Sequence, residues 1–524
     1  MTSATDMPFG DACFASREEL DAHGLLTDSP ATLPLGQVAD EGEPLDAGYD
    51  GERHMLVFGP NGSGKSTRFA ATALLRSDAS RSWVVVDPKG ELAAITAPYR
   101  RTVGAVHIVN PFGTLANRTG YDDLRSGKFN PLAGLDPESP SFNADAALIA
   151  EALITMEGTQ PFFPRSARNL VAALTMWEAT QAMREGRAPL LGNVRDMLTN
   201  PAGLPETLGK IALSGNRGMA NKAGPLMQEA RSIRDVISEA ATQTEFLDDV
   251  EMVGDMSGTG PDFAAMKDKP ATVYLILPAG MMERHTKWFR LVLSAALRAL
   301  MVPKEPGQLP VTFLLDEYFL IANGGLTIIE NCMAYVRGFG IQLIPMLQDL
   351  NQLQDLYPKR WQTFLSNAGI VMHIGPPADL TTAEWMSRRA GDTTTYAQSI
   401  SDNTGIGFGG GKASFNQGGG MSKSQTRVPF LPVHELFDTD PHHAFSWKAG
   451  LANTVRTCLP LSADTCLGER SRKNPYFASP DDEPVVATVP EKPRLPSGGI
   501  FERRRGGSDA RGRQGDDRAT PPRR

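Results

Sequence analysis

The octapeptide Gly59-Pro60-Asn61-Gly62-Ser63-Gly64-Lys65-Ser66 constrains this chain more than any other feature. It satisfies the pattern G-x-x-x-x-G-K-[ST] in full, between the apolar run His54-Met55-Leu56-Val57-Phe58 and a helix-forming stretch over residues 67–75. Strand, glycine-rich loop and helix in that order are what a phosphate cradle requires. The glycines let successive backbone N–H groups turn inward, and the helix N-terminus that follows favours anions. In such a cradle Lys65 reaches the β and γ phosphates, Ser66 offers its hydroxyl to Mg²⁺, and Thr67 opens the helix. The loop therefore predicts ATP and Mg²⁺ as cofactors.

A second apolar run, Val311-Thr312-Phe313-Leu314-Leu315, ends in Asp316-Glu317. Asp316 is placed to hold Mg²⁺ and Glu317 to orient or deprotonate the attacking water. An acid pair at a strand end is a weak signal alone, and gains weight beside a complete phosphate loop. Arg337, in Val336-Arg337-Gly338-Phe339-Gly340, is the candidate for a cation supplied across a subunit boundary; a helix-terminal arginine before a glycine cap reads the same way. Gln348, at the end of the run 341–347, could sense the γ-phosphate through its amide or simply cap a helix.

Further apolar runs at 83–86, 105–109, 272–277 and 370–374 alternate with helical patterns. That alternation predicts an α/β fold with a mostly parallel sheet covered on both faces. Between residues 142 and 265 the rhythm stops and only amphipathic stretches remain, so an inserted all-helical domain is expected there. At 524 residues the chain exceeds what one core normally organises. The expected division is a nucleotide-binding domain over 51–141 and 266–467, the helical insertion, a partly ordered arm over 1–50, and a disordered tail over 468–524.

Composition excludes several classes. A net charge of −8 argues against a surface that coats nucleic acid everywhere, though not against a local groove. The tail holds eight arginines against four acids between residues 500 and 524, enough for a weak contact with anionic lipid or nucleic acid. Cys13, Cys332, Cys458 and Cys466 have no metal or disulfide spacing. No signal peptide is expected, and the longest apolar stretch, 291–302, is too short to span a bilayer and contains Arg298. Gly409-Gly410-Gly411-Lys412 is followed by Ala413 and no strand leads into it, so a mobile hairpin tip is expected and not a second phosphate loop. His442 and His443 lack companion ligands and read as surface or packing residues.

These motifs in this order resemble the type IV secretion coupling proteins, the TraG-like conjugation ATPases, over about residues 51–467. The specific strings are the phosphate loop, Val85-Val86-Asp87-Pro88-Lys89-Gly90-Glu91-Leu92, Phe129-Asn130-Pro131-Leu132, Leu314-Leu315-Asp316-Glu317 and Arg337-Gly338-Phe339-Gly340-Ile341, with Gln348-Asp349 and Gln352-Leu353. The resemblance implies a RecA-like P-loop NTPase domain carrying an all-helical substrate-recruiting insertion and assembling as a hexamer around a pore. The implied task is to bring relaxase-bound DNA, single- or double-stranded, or protein effectors, to a type IV secretion channel. Typical members carry N-terminal membrane helices, and no such helix is expected in residues 1–50 of this sequence. The expected location is thus the bacterial cytoplasm or the inner-membrane periphery, with a membrane-anchored partner. Two other readings fit the same motifs: a nucleotide-switched receptor that moves nothing, and a DNA translocase for chromosome or plasmid partition.

Overall fold

The computed structural model describes residues 10–38, 43–156, 162–228, 232–322, 326–409 and 412–476. Among the described residues thirteen strands form: β1 (Leu33–Val38), β2 (Leu45–Tyr49), β3 (His54–Phe58), β4 (Ser82–Val86), β5 (Ala105–Val109), β6 (Ala271–Leu275), β7 (Val311–Leu315), β8 (Ile341–Leu347), β9 (Ala368–Ile374), β10 (Asp392–Gly409), β11 (Lys412–Pro429), β12 (His443–Lys448) and β13 (Val455–Cys458). Eleven of them make one sheet in the order β2-β1-β13-β12-β9-β3-β8-β7-β4-β6-β5. From β9 to β5 neighbouring strands run parallel; β12, β13, β1 and β2 extend the sheet antiparallel.

The central strands β3, β4, β6, β7, β8 and β9 are buried at every position, because helices cover both faces of a parallel sheet. Alternate residues sort accordingly. Leu56, Phe58, Val84, Val86, Phe313 and Leu315 enter one core, while Met55, Val57, Trp83, Val85 and Leu314 enter the other. The first core is shared with the helical stretch between Phe142 and Asp255, whose longest member is Phe162–Glu185. The helices therefore pack as a continuation of the core on that face of the sheet. Asn130, from one of the sequence strings, ties the two regions. Its amide donates to the Pro189 carbonyl at 2.9 Å and its oxygen accepts from the Leu132 N–H at 2.9 Å.

Two sequence expectations need correction. The arm over residues 1–50 supplies β1 and β2, which close the sheet beyond β13. Pro34, Gly36 and Gly48 hid these strands, since turn residues are tolerated at a sheet edge and at bulges. The ladder does shift between Pro34 and Gly36, and Gly36 has φ +107°, where a Cβ would meet the Cys458 carbonyl at 2.7 Å. At the other end, residues 468–476 are packed against the helix Glu91–Val103, with the Arg472 side chain donating to the Ala94 carbonyl at 2.7 Å. The rest of the expected disordered tail, 477–524, lies outside the described residues. The glycine-rich segment forms part of the two-stranded β10–β11 ladder; Gly410 and Gly411 at its turn are likewise outside them.

Candidate nucleotide site

All parallel strands point their C-terminal ends to one edge of the sheet, where open α/β folds bind ligands. The loop of residues 59–64 leaves β3 at that edge, held to its neighbour by the Gly59 N–H donating to the Leu347 carbonyl at 3.1 Å. Gly62 and Gly64 adopt φ +80° and +89°, values open to glycine at no steric cost. A Cβ on Gly64 would also strike the Arg68 side chain at 2.6 Å. The chain then enters a widened turn, Lys65–Ala70, that continues as the helix Ala71–Arg76.

Lys65 is buried and its ammonium donates to the loop carbonyls of Gly59 at 2.5 Å and Pro60 at 3.1 Å. Burial pushes its pKa down, Asp316 and Glu317 pull it back up, and Lys89 adds to the depression. The Ser66 hydroxyl donates to Asp316 Oδ2 at 2.9 Å, although the two residues are 250 positions apart. β7 thus delivers its acids directly to the phosphate loop. Glu317 follows with φ +50°, a strained conformation for a residue with a side chain, and its N–H donates to Asp316 Oδ1 at 3.0 Å.

Burial raises the Asp316 carboxyl to about 6, with Glu317 pushing the same way and Ser66 and Lys65 opposing. The sign of the linkage follows. An acid whose folded pKa lies above its unfolded value near 4 costs stability as pH rises from about 4 to about 6, and the cost is constant above that. Asp316→Asn is therefore expected to raise the melting temperature of the nucleotide-free protein at pH 8 and not at pH 4, as a pH series of thermal scans would check. An equal shift at both values would contradict this origin.

Asp87, at the end of β4, lies beside Asp316 because Val86 pairs with Leu315 across the ladder. Its carboxylate accepts from the Ala93 N–H at 2.8 Å, capping the next helix, and burial pushes its pKa up to about 7. Gln348 follows β8 and so flanks the phosphate loop; its N–H donates to Gln352 Oε1 at 2.9 Å. Asp349 caps the helix Leu350–Leu356.

Gly59, Pro60, Asn61, Gly62, Ser63, Gly64, Lys65, Ser66 and Thr67 thus meet Asp316, Glu317 and Gln348 at one edge. Arg337 does not join them. It sits in the turn Val336–Phe339 before β8, on the opposite edge of the sheet, and its side chain lies outside the described residues. The seven residues of β8 separate the two edges by roughly 20 Å, so Arg337 cannot serve the site of its own chain. Sequence reading missed Asn474 and Tyr476, which reach this edge from a segment read as tail. The Tyr476 hydroxyl donates to the Lys89 carbonyl at 2.6 Å, and Asn474 donates to the Glu91 carboxylate.

The residues present fit a magnesium-bound nucleoside triphosphate. The Ser63 hydroxyl is buried without a hydrogen-bond partner, Gly62 opens on free space, and Ser66 and Asp316 form a hard-oxygen pair beside Lys65. Fold and site together define a P-loop NTPase of the RecA-like class.

The family model for type IV secretory system conjugative DNA transfer matches residues 13–432. The chain belongs to that family. It is 26% identical over 431 residues to the conjugal transfer protein TraG of Rhizobium radiobacter, covering 78% of this chain and 63% of the relative. It is 23% identical over 407 residues to the type IV secretion system-coupling protein VirD4 of Bartonella henselae, covering 74% and 59%. The chain thus spans somewhat under two thirds of the length of these relatives. Among solved structures, the unbound bacterial conjugative coupling protein TrwBdeltaN70 superposes with a TM-score of 0.59 at 19% identity, over 78% of this chain and 85% of that one. The plasmid coupling protein TrwB in complex with the ATP analogue ADPNP gives 0.59 at 18% identity, over 87% and 95%. Among the described residues no helix is long and apolar enough to cross a membrane.

Proposed function

We propose that the chain is the ATP-hydrolysing coupling protein of a conjugative type IV system, driving DNA with its attached protein, or protein effectors, toward the secretion channel. The observation that carries this reading is the Ser66–Asp316 hydrogen bond, which joins the phosphate loop to the acidic end of β7. Residues 59–67 hold the phosphates, and Ser66 and Asp316 would hold Mg²⁺, which would supply charge neutralisation to the phosphates when bound. Glu317 orients the attacking water and takes its proton. The water oxygen bonds to γ-phosphorus as the bond to the β–γ bridging oxygen breaks, leaving ADP and phosphate. Gln348 flanks the γ position, and Arg337, remote from its own site, serves a neighbouring subunit in a homo-hexameric ring.

The helical stretch 142–265 is the substrate-recruiting domain in this reading, and a membrane-anchored partner supplies the link to the channel. The purified chain mixed with Mg²⁺, ADPNP and DNA should sediment as a hexamer and show ring-shaped particles. A monomer under all those conditions would remove the role assigned to Arg337 and with it the ring.

A further inference from the structure

Lys89 stands exposed at the end of β4, one strand beyond Asp316 and Glu317 in the order β3-β8-β7-β4. Lys65 enters from the β3 side, so the two lysines flank the acids. Lys89 is near enough for its charge to help depress the Lys65 pKa. Its turn is held from within. Gly90 has φ +69°, where a Cβ would press on Leu115 at 3.3 Å and Ile276 at 3.4 Å, and the Asp87 carboxylate caps the following helix.

The same turn is held from outside by residues 468–476. Tyr476 and Asn474 donate to the Lys89 carbonyl and the Glu91 carboxylate, as described above. Arg472 fixes the segment further back, donating to the carbonyls of Ala94 and Gly120 and to Asp123 Oδ1, with its guanidinium 4.5 Å from the Tyr121 ring. Arg118 donates to the Pro475 carbonyl at 3.0 Å. A segment needed only to cover apolar surface has no reason to place the Tyr476 and Asn474 donors on the Lys89 carbonyl and the Glu91 acid beside an exposed lysine.

We propose that Lys89 is a second cation of the nucleotide site, meeting the γ-phosphate from the β4 side, and that residues 468–476 are the strap that positions it through Tyr476 and Asn474. The proposal rests on the reading of residues 59–66 as an ATP site. A loose, dissociative transfer spreads negative charge over the equatorial γ oxygens, and a fixed cation opposite Lys65 offsets it without reorganisation. Lys89 is then a catalytic residue and Tyr476 a positioning residue.

The test uses the full chain, with Mg·ADP and Mg·ADPNP as binding probes and phosphate release as the rate. Lys89→Ala should weaken Mg·ADPNP binding about tenfold and leave Mg·ADP unchanged, because ADP lacks the contacted phosphate, and should lower turnover roughly a hundredfold. Tyr476→Phe keeps the ring and removes the donor, so turnover should fall about three- to tenfold with the melting temperature unchanged. In the Lys89→Ala background the same change should do nothing more, since it acts through Lys89. Equal loss of both probes in Lys89→Ala, or the same fold loss from Tyr476→Phe in both backgrounds, would overturn the proposal. A wild-type chain that binds neither probe would instead defeat the ATP-site reading beneath it.

Discussion

Lys65→Ala is expected to lower ATP turnover by about a hundredfold or more and to abolish the rise in melting temperature that Mg·ADP gives the wild type. The ammonium is already inside the loop, donating to the Gly59 and Pro60 carbonyls, so few degrees of freedom remain to be fixed when phosphate arrives. Its depressed pKa reflects burial before any anion is present, and a phosphate chain would relieve that cost. The loop itself should survive the substitution, because its shape depends on the positive φ of Gly62 and Gly64 and on the Gly59 N–H bond to β8. Thermal scans with and without Mg·ADP, beside phosphate release, separate lost binding from a lost fold. Unchanged turnover in Lys65→Ala would remove the phosphate loop from the chemistry.

Glu317→Gln should behave differently, retaining Mg·ATP affinity within about twofold while turnover falls roughly a hundred- to a thousandfold. Glutamine keeps the length of the side chain and the backbone N–H bond to Asp316 but cannot accept the water's proton. The strained φ of +50° is unaltered by this change, so stability should move little. Filter binding of labelled ATP in Mg²⁺, set against single-turnover hydrolysis, checks both halves. A variant that still turns over at the wild-type rate would place the base elsewhere.

Much of the nucleotide-binding core was legible in the sequence because burial there is uniform. Runs such as His54-Met55-Leu56-Val57-Phe58 and Val311-Thr312-Phe313-Leu314-Leu315 are continuous apolar strands of a sheet covered on both faces, and the site residues follow them directly in sequence. The antiparallel half was not legible, for the opposite reason. β13 alternates buried and half-buried positions, β12 carries Ser446 fully buried among apolar neighbours, β1 carries Pro34 and Gly36 at its bulge, and the edge strand β2 carries Gly48. The strap was invisible for a third reason. Its contacts come from arginine and tyrosine side chains reaching backbone carbonyls, and an asparagine reaching a carboxylate, hundreds of positions away, which leaves no periodicity to read. Composition alone made residues 468–476 look like the tail that follows them.

Arg337 precedes β8 and Gln348 follows it, so the strand between them carries the two residues to opposite edges of the sheet.

In the proposed function this chain hydrolyses ATP at residues 59–67 as a motor on DNA. The most direct test is steady-state phosphate release by the purified protein in Mg·ATP, alone and with single- or double-stranded DNA, beside Glu317→Gln. Wild-type turnover is expected to rise when DNA is added, and the variant to stay flat. Nucleotide that binds without any turnover, with or without DNA, would contradict the motor and leave a nucleotide-switched receptor in its place.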